Sequence, residues 1–224
     1  YYGASIEKCG YRPAQELLAY ELDIHTYTTP STKQELIDRT AGRIKVRELN
    51  RKTMEADFEA MRDIFNDAWQ DNWNFVPFTR EEFTAVGKEL LTVVPHDFLQ
   101  IAELDREPAA FIAMLPDINM AIADLNGRLL PFGWAKLLWR MKVRFPKRCR
   151  VALMGVRKKY QNTIFGPAMA FMVVDSVLGP GLSRGGNRVE LSWILEQNKP
   201  TRNMIEKFGG KITKRYHMYS KDLV

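Results

Sequence analysis

An α/β fold is predicted by three observations on this 224-residue chain. The last third alternates strand and helix: an apolar strand at 150–156, an apolar helix at 164–178, a strand at 188–194, a helix at 199–208 and a strand at 211–219. Such a βαβαβ run calls for a sheet with a helix crossing between neighbouring strands. The runs 98–104 and 108–115 are strands separated only by Asp105-Arg106-Glu107, which reads as a hairpin. Ahead of them, Phe58, Met61, Ile64, Phe65 and Ala68 recur at three- and four-residue spacings, the stripe of an amphipathic helix over 54–70.

The remaining elements follow in order. Ile6 to Tyr11 resembles a last helical turn closed by Gly10. Residues 14–22 alternate as a strand, and a Thr/Pro break covers 26–31. Ser31 caps a short helix over 32–40, and Gly42 stops it. Residues 1–42 are therefore an expected appendage, the end of something that comes before, and 43–224 the main domain. In that domain 43–49 alternates as a half-buried strand, with Ile44 and Val46 inward. Thr79 and Glu82 have the spacing of a capping box for a helix running to about Leu91. Residues 116–148 are a long, less regular insertion, and the Gly-rich 179–187 reads as a flexible connection.

Composition removes several classes of function. With 46% hydrophobic residues and a net charge of only +6, the chain is not disordered. No run of 18 or more apolar residues predicts a membrane span, and no signal-peptide pattern opens the sequence. Cys9 and Cys149 make no disulfide framework, and His25, His96 and His217 stand at no ligand spacing, so no metal is expected. The expectation is a cytoplasmic globular protein. The basic excess is too small for a dedicated nucleic-acid binder, and no stable nucleic-acid partner is expected; it suits an anionic ligand.

One junction carries chemistry. The strand at 150–156 feeds a helix through Arg157-Lys-Lys-Tyr-Gln161-Asn162-Thr163-Ile164-Phe165-Gly166. Free backbone N–H groups at such a helix start, with the helix dipole and three adjacent cations, can cradle pyrophosphate; an ordinary solvated basic loop is the alternative. Downstream stands Glu190-Leu-Ser-Trp-Ile-Leu-Glu-Gln-Asn198, followed by a helix ending at Gly209-Gly210.

These two segments and their order resemble the GNAT superfamily of acyl-CoA-dependent N-acyltransferases. Glu-Leu-Ser-Trp-Ile-Leu-Glu-x-Asn is similar to the family's fifth strand and the start of its fourth helix, and Gln161–Gly166 to its (Gln/Arg)-x-x-Gly-x-(Gly/Ala) pyrophosphate loop. Asn66-Asp-Ala-Trp69, Asn72-Trp73 and Pro116-Asp-Ile-Asn119 resemble a bacterial subgroup known mostly from sequence. The resemblance covers about 43–224, and 1–22 resembles the closing helix and strand of another GNAT-like lobe. Two positions depart from the pattern: Ile164 stands at the loop's first glycine, and Ile205 stands where many members carry an acid tyrosine.

The resemblance implies a mixed, twisted sheet with helices on both faces and direct transfer of an acyl group, acetyl for choice, from CoA to a small-molecule amine, with no metal. A backbone N–H near Met154, Gly155 or Val156 would polarise the thioester, residues 161–166 would bind pyrophosphate, and Asn198 would hold the pantetheine arm. Glu190 or Glu103, each in an apolar strand where burial raises a carboxyl pKa, would be the base. Tyr216 or Tyr219 would replace the missing acid. Trp69, Trp73 and Phe75 would cover the acceptor, unless they are ordinary core aromatics.

The stretch 128–150 holds eight basic residues and no acidic one around an amphipathic centre, Trp134, Leu137, Leu138 and Met141. It suits an anionic membrane surface, a nucleic acid, a flap over the site, or a plain solvated face. Two rival functions stay open: a GNAT-fold binding lobe without turnover, and a tandem-lobe transferase fed by aminoacyl-tRNA. A homodimer is also left open.

Overall fold

The computed structural model describes residues 1–27, 35–36, 38–40 and 42–222. In chain order the described elements are α1 (Tyr2–Lys8), β1 (Arg12–Asp23), β2 (Ile44–Glu48), α2 (Met54–Trp69), α3 (Arg80–Leu90), β3 (Leu99–Leu104), β4 (Glu107–Pro116), α4 (Ile118–Ile122), α5 (Gly133–Lys142), β5 (Arg148–Val156), α6 (Lys158–Gln161), α7 (Phe165–Ser183), β6 (Arg188–Leu195), α8 (Lys199–Lys207) and β7 (Lys211–Ser220). Ser31, the expected cap of a helix over 32–40, lies outside the described residues; 35–36 and 38–39 are helical.

The strands form one seven-stranded mixed sheet in the order β2-β3-β4-β5-β6-β1-β7. Every neighbouring pair is antiparallel except β5 with β6, which α7 joins by a crossover. Helices cover both faces. On one face α7 and α8 bury Met169, Phe171, Val173, Val177, Ile205 and Phe208 against the sheet. On the other, α2 and α3 enclose Phe58, Met61, Ile64, Phe65 and Phe83 above Ile101 and Phe111.

Local signals hold where the chain satisfies itself. Thr79 and Glu82 form the capping box of α3, each side chain meeting the other's backbone N–H. Asp105 and Arg106 both adopt positive φ, 53° and 71°, as the two-residue turn between β3 and β4 needs.

Two expectations give way to packing. Residues 12–23 belong to no separate appendage: β1 lies between β6 and β7, with Leu18, Ala19 and Tyr20 fully buried in the main core. The Tyr20 hydroxyl also donates to Glu206 of α8 at 2.9 Å and accepts from Arg202 Nε at 3.1 Å. The division at residue 42 is therefore not a division of the core. Likewise Gly179, Pro180 and Gly181 are helical, not loop, because α7 runs on to Ser183. At Gly181 a β-carbon would stand 3.3 Å from the Met114 side chain, so burial of this turn suits glycine there.

α7 is long and apolar enough to cross a membrane by length and composition. Here it is the central core helix, with Ala168, Met169, Val173 and Val177 fully buried against the sheet. The insertion between β4 and β5 contains two short helices, α4 and α5; α5 holds the amphipathic centre, Trp134, Leu137, Leu138 and Met141.

Candidate active site

The parallel pair β5–β6 opens part-way along its length. Arg148 to Val151 pair with Arg188 to Leu191, and the pairing then stops. Beyond that apex β5 continues on β4 as far as Val156, while β6 continues on β1 as far as Leu195. A wedge-shaped gap results, with one strand on each side.

Strand periodicity decides which groups face the gap. Arg157 N–H donates to Ala109 O at 2.8 Å, so Arg157 and, two residues back, Gly155 direct their amide groups to β4. Met154 and Val156 therefore turn theirs the other way. Their carbonyls are occupied: Trp69 Nε1 donates to Met154 O and Gln161 Nε2 to Val156 O, each at 2.9 Å. The Met154 and Val156 N–H groups are left pointing into the gap, where an acyl oxygen would meet donors already in place.

The turn after β5 sits at the same end. α6 is a single turn, and Gly166 packs directly on it: a β-carbon there would lie 2.5 Å from Tyr160 O and 3.0 Å from Gln161 Cα. Only glycine allows α7 to begin so close. Thr163 ties the turn, donating from Oγ1 to Tyr160 O at 2.8 Å and accepting Phe165 N–H at 3.2 Å. Ile164, with helical φ and ψ, precedes α7 and is 38% exposed, so its side chain leaves the turn for solvent. Asn162 is exposed. Gly166 N–H lies in the first turn of α7, where no intrahelical acceptor exists, and Pro167 has none to offer. This is a fit for an anionic phosphate. The three cations beside it are not idle: Arg157 Nε donates to Pro108 O at 2.9 Å, Lys158 pairs with Asp71, and Lys159 lies 3.5 Å from Glu107. Exposed pairs of this kind are weak enough to exchange for a ligand.

The two carboxylates part company. Glu190 pairs in register with Arg150 at the apex of the gap. Its carboxylate accepts from Ser192 Oγ at 2.7 Å and lies 3.3 Å from Lys214 Nζ and 3.9 Å from Arg150 Nε. Burial alone would raise its pKa, as the sequence led us to expect; the Ser192 hydroxyl and the two cations outweigh it and hold the carboxyl below its usual range. Glu103 lies on β3, with β4 standing between it and the gap. Its carboxylate accepts from Arg47 Nε at 2.6 Å, while the same guanidinium grips buried Asp57 at 2.8 and 2.9 Å.

Tyr216 rests against Trp193, ring centroids 6.0 Å apart, and the Arg150 guanidinium lies 5.0 Å from the Trp193 ring centroid as a cation–π partner. Tyr219 is elsewhere. It packs under α1, its hydroxyl 2.8 Å from where a β-carbon on Gly3 would stand, and lines a 530 Å³ cavity with Tyr2, Ile6 and Tyr11. Asn198 caps α8, its Oδ1 accepting Thr201 N–H at 3.2 Å. Ile205 is 1% exposed in the main core, so that position supplies packing and points no group at the gap. The Cys149 thiol is fully buried, and burial pushes its pKa up to about 12.

Of the aromatics, Trp69 reaches β5 through its Nε1, and Phe65 stacks on it at 5.0 Å. Phe75 packs on Phe65 at 5.6 Å, and Trp73 is 39% exposed beside them. Sequence reasoning assigned no role to Asn66, which accepts Phe78 N–H at 3.0 Å and donates to Phe78 O at 2.9 Å, fastening the loop before α3 to α2. It also passed over Ser192, Trp193 and Arg150. The mixed apolar and polar pattern of β6 was visible, but only the pairing shows that these side chains meet at the apex.

No family model matches the chain. It is 44% identical over 223 residues to Protein YghO of Escherichia coli (strain K12), a match covering all of this chain and 57% of that protein. It is 40% identical over 224 residues to a protein of Caulobacter vibrioides (strain NA1000 / CB15N) named Bacterial ceramide synthase, covering all of this chain and 58% of that one. The chain thus spans rather more than half the length of these curated relatives. A solved GCN5-related N-acetyltransferase from Sphaerobacter thermophilus superposes with a TM-score of 0.61 at 13% identity, over 97% of this chain and 55% of that one. The wedge between two parallel strands, the turn behind it and this likeness together establish that the chain has the GCN5-related N-acetyltransferase (GNAT) fold.

Proposed function

We propose that this chain is an acyltransferase domain that moves an acyl group from a CoA thioester to an amine within a ternary complex. The observation that carries the reading is the opened β5–β6 pair with the Met154 and Val156 N–H groups turned into it. The amine nitrogen attacks the thioester carbon, the C–S bond breaks, an amide forms, and the thiolate departs and takes up a proton. The two amide donors stabilise the oxyanion that forms on the way. Residues 161–166 hold the pyrophosphate, and Asn198 stands at the end of β6 beside the arm. Glu190, charged through the neutral range, attracts the ammonium form of the acceptor; the amine attacks after losing one proton to solvent, and Glu190 takes the second proton that leaves the nitrogen as the N–C bond forms. Tyr216 lies on β7, beyond β1, and reaches toward β6 only through its ring contact with Trp193; on this reading it is the donor to the leaving thiolate. Trp69, Trp73 and Phe75 border the acceptor side.

The relative named Bacterial ceramide synthase supports an acceptor of one kind. A ceramide is the amide of a long-chain amino alcohol, so we take the acceptor to be a long-chain amine and the donor a long acyl-CoA. An acetyl donor with a small amine is the second reading, supported by the N-acetyltransferase of like fold.

The test follows thiol release with palmitoyl-CoA and with acetyl-CoA, each against sphinganine and against a panel of small amines. Release with palmitoyl-CoA and sphinganine supports the first reading, and release with acetyl-CoA and a small amine the second. A donor present at a hundred times its Kd also stabilises the fold by about 2.7 kcal/mol. If neither donor shifts the melting temperature and neither releases thiol, the transferase reading fails.

A further inference from the structure

The insertion between β4 and β5 is built unlike the rest of the molecule. α4 and α5 are fastened to each other: Arg140 donates to Ala121 O at 2.7 Å and to Asp124 at 2.8 Å, and Lys136 reaches Asp124 at 2.7 Å. Each helix buries one residue, Ala121 and Met141, and neither of these belongs to the two core clusters. The large apolar side chains stay outside: Leu130 is 79% exposed, Phe132 78%, Val143 69%, Trp134 52% and Trp139 50%. Singly such residues are ordinary; gathered on one short insertion they mark a surface that something covers.

Charge says what covers it. Of the eight cations in 128–150, Lys136 and Arg140 are spent on Asp124, Arg148 on Glu21 and Arg150 on Glu190. Arg128, Lys142, Arg144 and Lys147 are exposed and have no acidic partner among the described residues. Aliphatic and indole side chains interspersed along one insertion with unpaired cations match the boundary of an anionic bilayer, where apolar groups enter the acyl region and cations meet headgroup phosphates. A second copy of this face would bring like charges together. A nucleic acid would leave Leu130 and Val143 in water.

We propose that the α4–α5 insertion docks the protein onto an anionic phospholipid surface, with Leu130, Phe132, Trp134, Trp139 and Val143 entering the interface. The face lies at the end of β5 away from the gap, because Pro116 and Cys149 pair there while Ala110 and Val156 pair at the gap end. Docking therefore leaves the wedge accessible. The inference does not rest on the transferase reading, and its test uses no turnover.

The full chain is sedimented with sucrose-loaded vesicles of phosphatidylcholine alone and of phosphatidylcholine with about a third phosphatidylglycerol. Binding to the anionic vesicles is expected, at least about tenfold tighter than to the neutral ones and weakened by salt. The double variant Leu130→Ser/Trp139→Ser and the double variant Arg144→Glu/Lys147→Glu should each weaken it about tenfold or more, with melting temperatures unchanged. Val86→Ser, at an exposed apolar site on α3, should leave it as it was. No binding to anionic vesicles, or an equal loss with Val86→Ser, overturns the proposal. So does a concentration-dependent dimer, or binding to a single-stranded RNA, that the Leu130/Trp139 variant abolishes while vesicles are not bound.

Discussion

The two ends of β5 answer the same physical problem in opposite ways. At the Val156 end, the polar groups freed by the parting of β5 from β6 are matched from within: Trp69 and Gln161 satisfy the two carbonyls, and the two N–H groups face the gap between the strands. At the Arg148 end the insertion settles its polar groups through Asp124 yet leaves its apolar ones bare. An open polar group inside a fold points to chemistry, because burying it unmatched is costly. An open apolar group outside it points to association. The same contrast separates two apolar helices, α7 sunk in the core and α5 lying on the surface.

Changes to the structure that serves both ends should have the largest effect. Phe171 of α7 is 4% exposed and meets Phe208 edge-on at 4.9 Å. Phe171→Ala should cost about 3–5 kcal/mol in urea unfolding and weaken both functions through lost folded protein. Next comes the gap end alone. Gly166→Val forces a side chain against Tyr160 O and should cost about 1–3 kcal/mol, with donor binding lost and vesicle binding kept. Trp69→Phe removes one hydrogen bond, from Nε1 to Met154 O. It should cost about 1 kcal/mol in stability and lower kcat/KM about tenfold, read in the thiol assay.

Smaller still is the effect of the carboxylate at the apex. The folded Glu190 carboxyl titrates below its usual value. Its contribution to stability is therefore full above the ordinary carboxylate range and disappears as the pH falls through the lowered folded value. Replacing it by Gln should flatten that acid limb in melting curves taken from pH 7 downward, while a limb that stays as steep would show that Glu190 is unperturbed. Smallest is the stability effect of Trp139→Ala, within about 0.5 kcal/mol, since the side chain is half exposed and outside both core clusters. A loss as large as that of Phe171→Ala would erase the contrast between the two apolar helices.

Sequence and structure agree most closely where a few neighbouring residues settle the matter. The capping box at Thr79 and Glu82 and the turn at Asp105 and Arg106 depend on contacts within the segment or its hairpin. So does Gly166, which the resemblance to the GNAT loop marked and which packs directly on Tyr160 and Gln161. Readings that needed a distant partner went astray. Residues 14–22 were readable as a strand, but nothing in them says that the strand will lie between β6 and β7. Gly179 to Gly181 look like loop, yet they are the last turn of α7, where Met114 packs against Gly181. A raised pKa for Glu190 followed from its apolar neighbours in sequence; the Ser192 hydroxyl, with Lys214 and Arg150 from other strands, reverses it.

By itself the sequence determined the kinds and order of most elements, the turn that joins β5 to α7 and the acid-free basic stretch, because periodicity, capping and turn chemistry are local. The tertiary structure alone decided that β5 and β6 part after Val151 and Leu191, and that Glu190 stands at the point where they do. It alone decided which carbonyls are taken, and which apolar helix is core and which is surface. Each of these depends on what a residue meets across the sheet, and that is set by strand order and register between segments far apart in the chain.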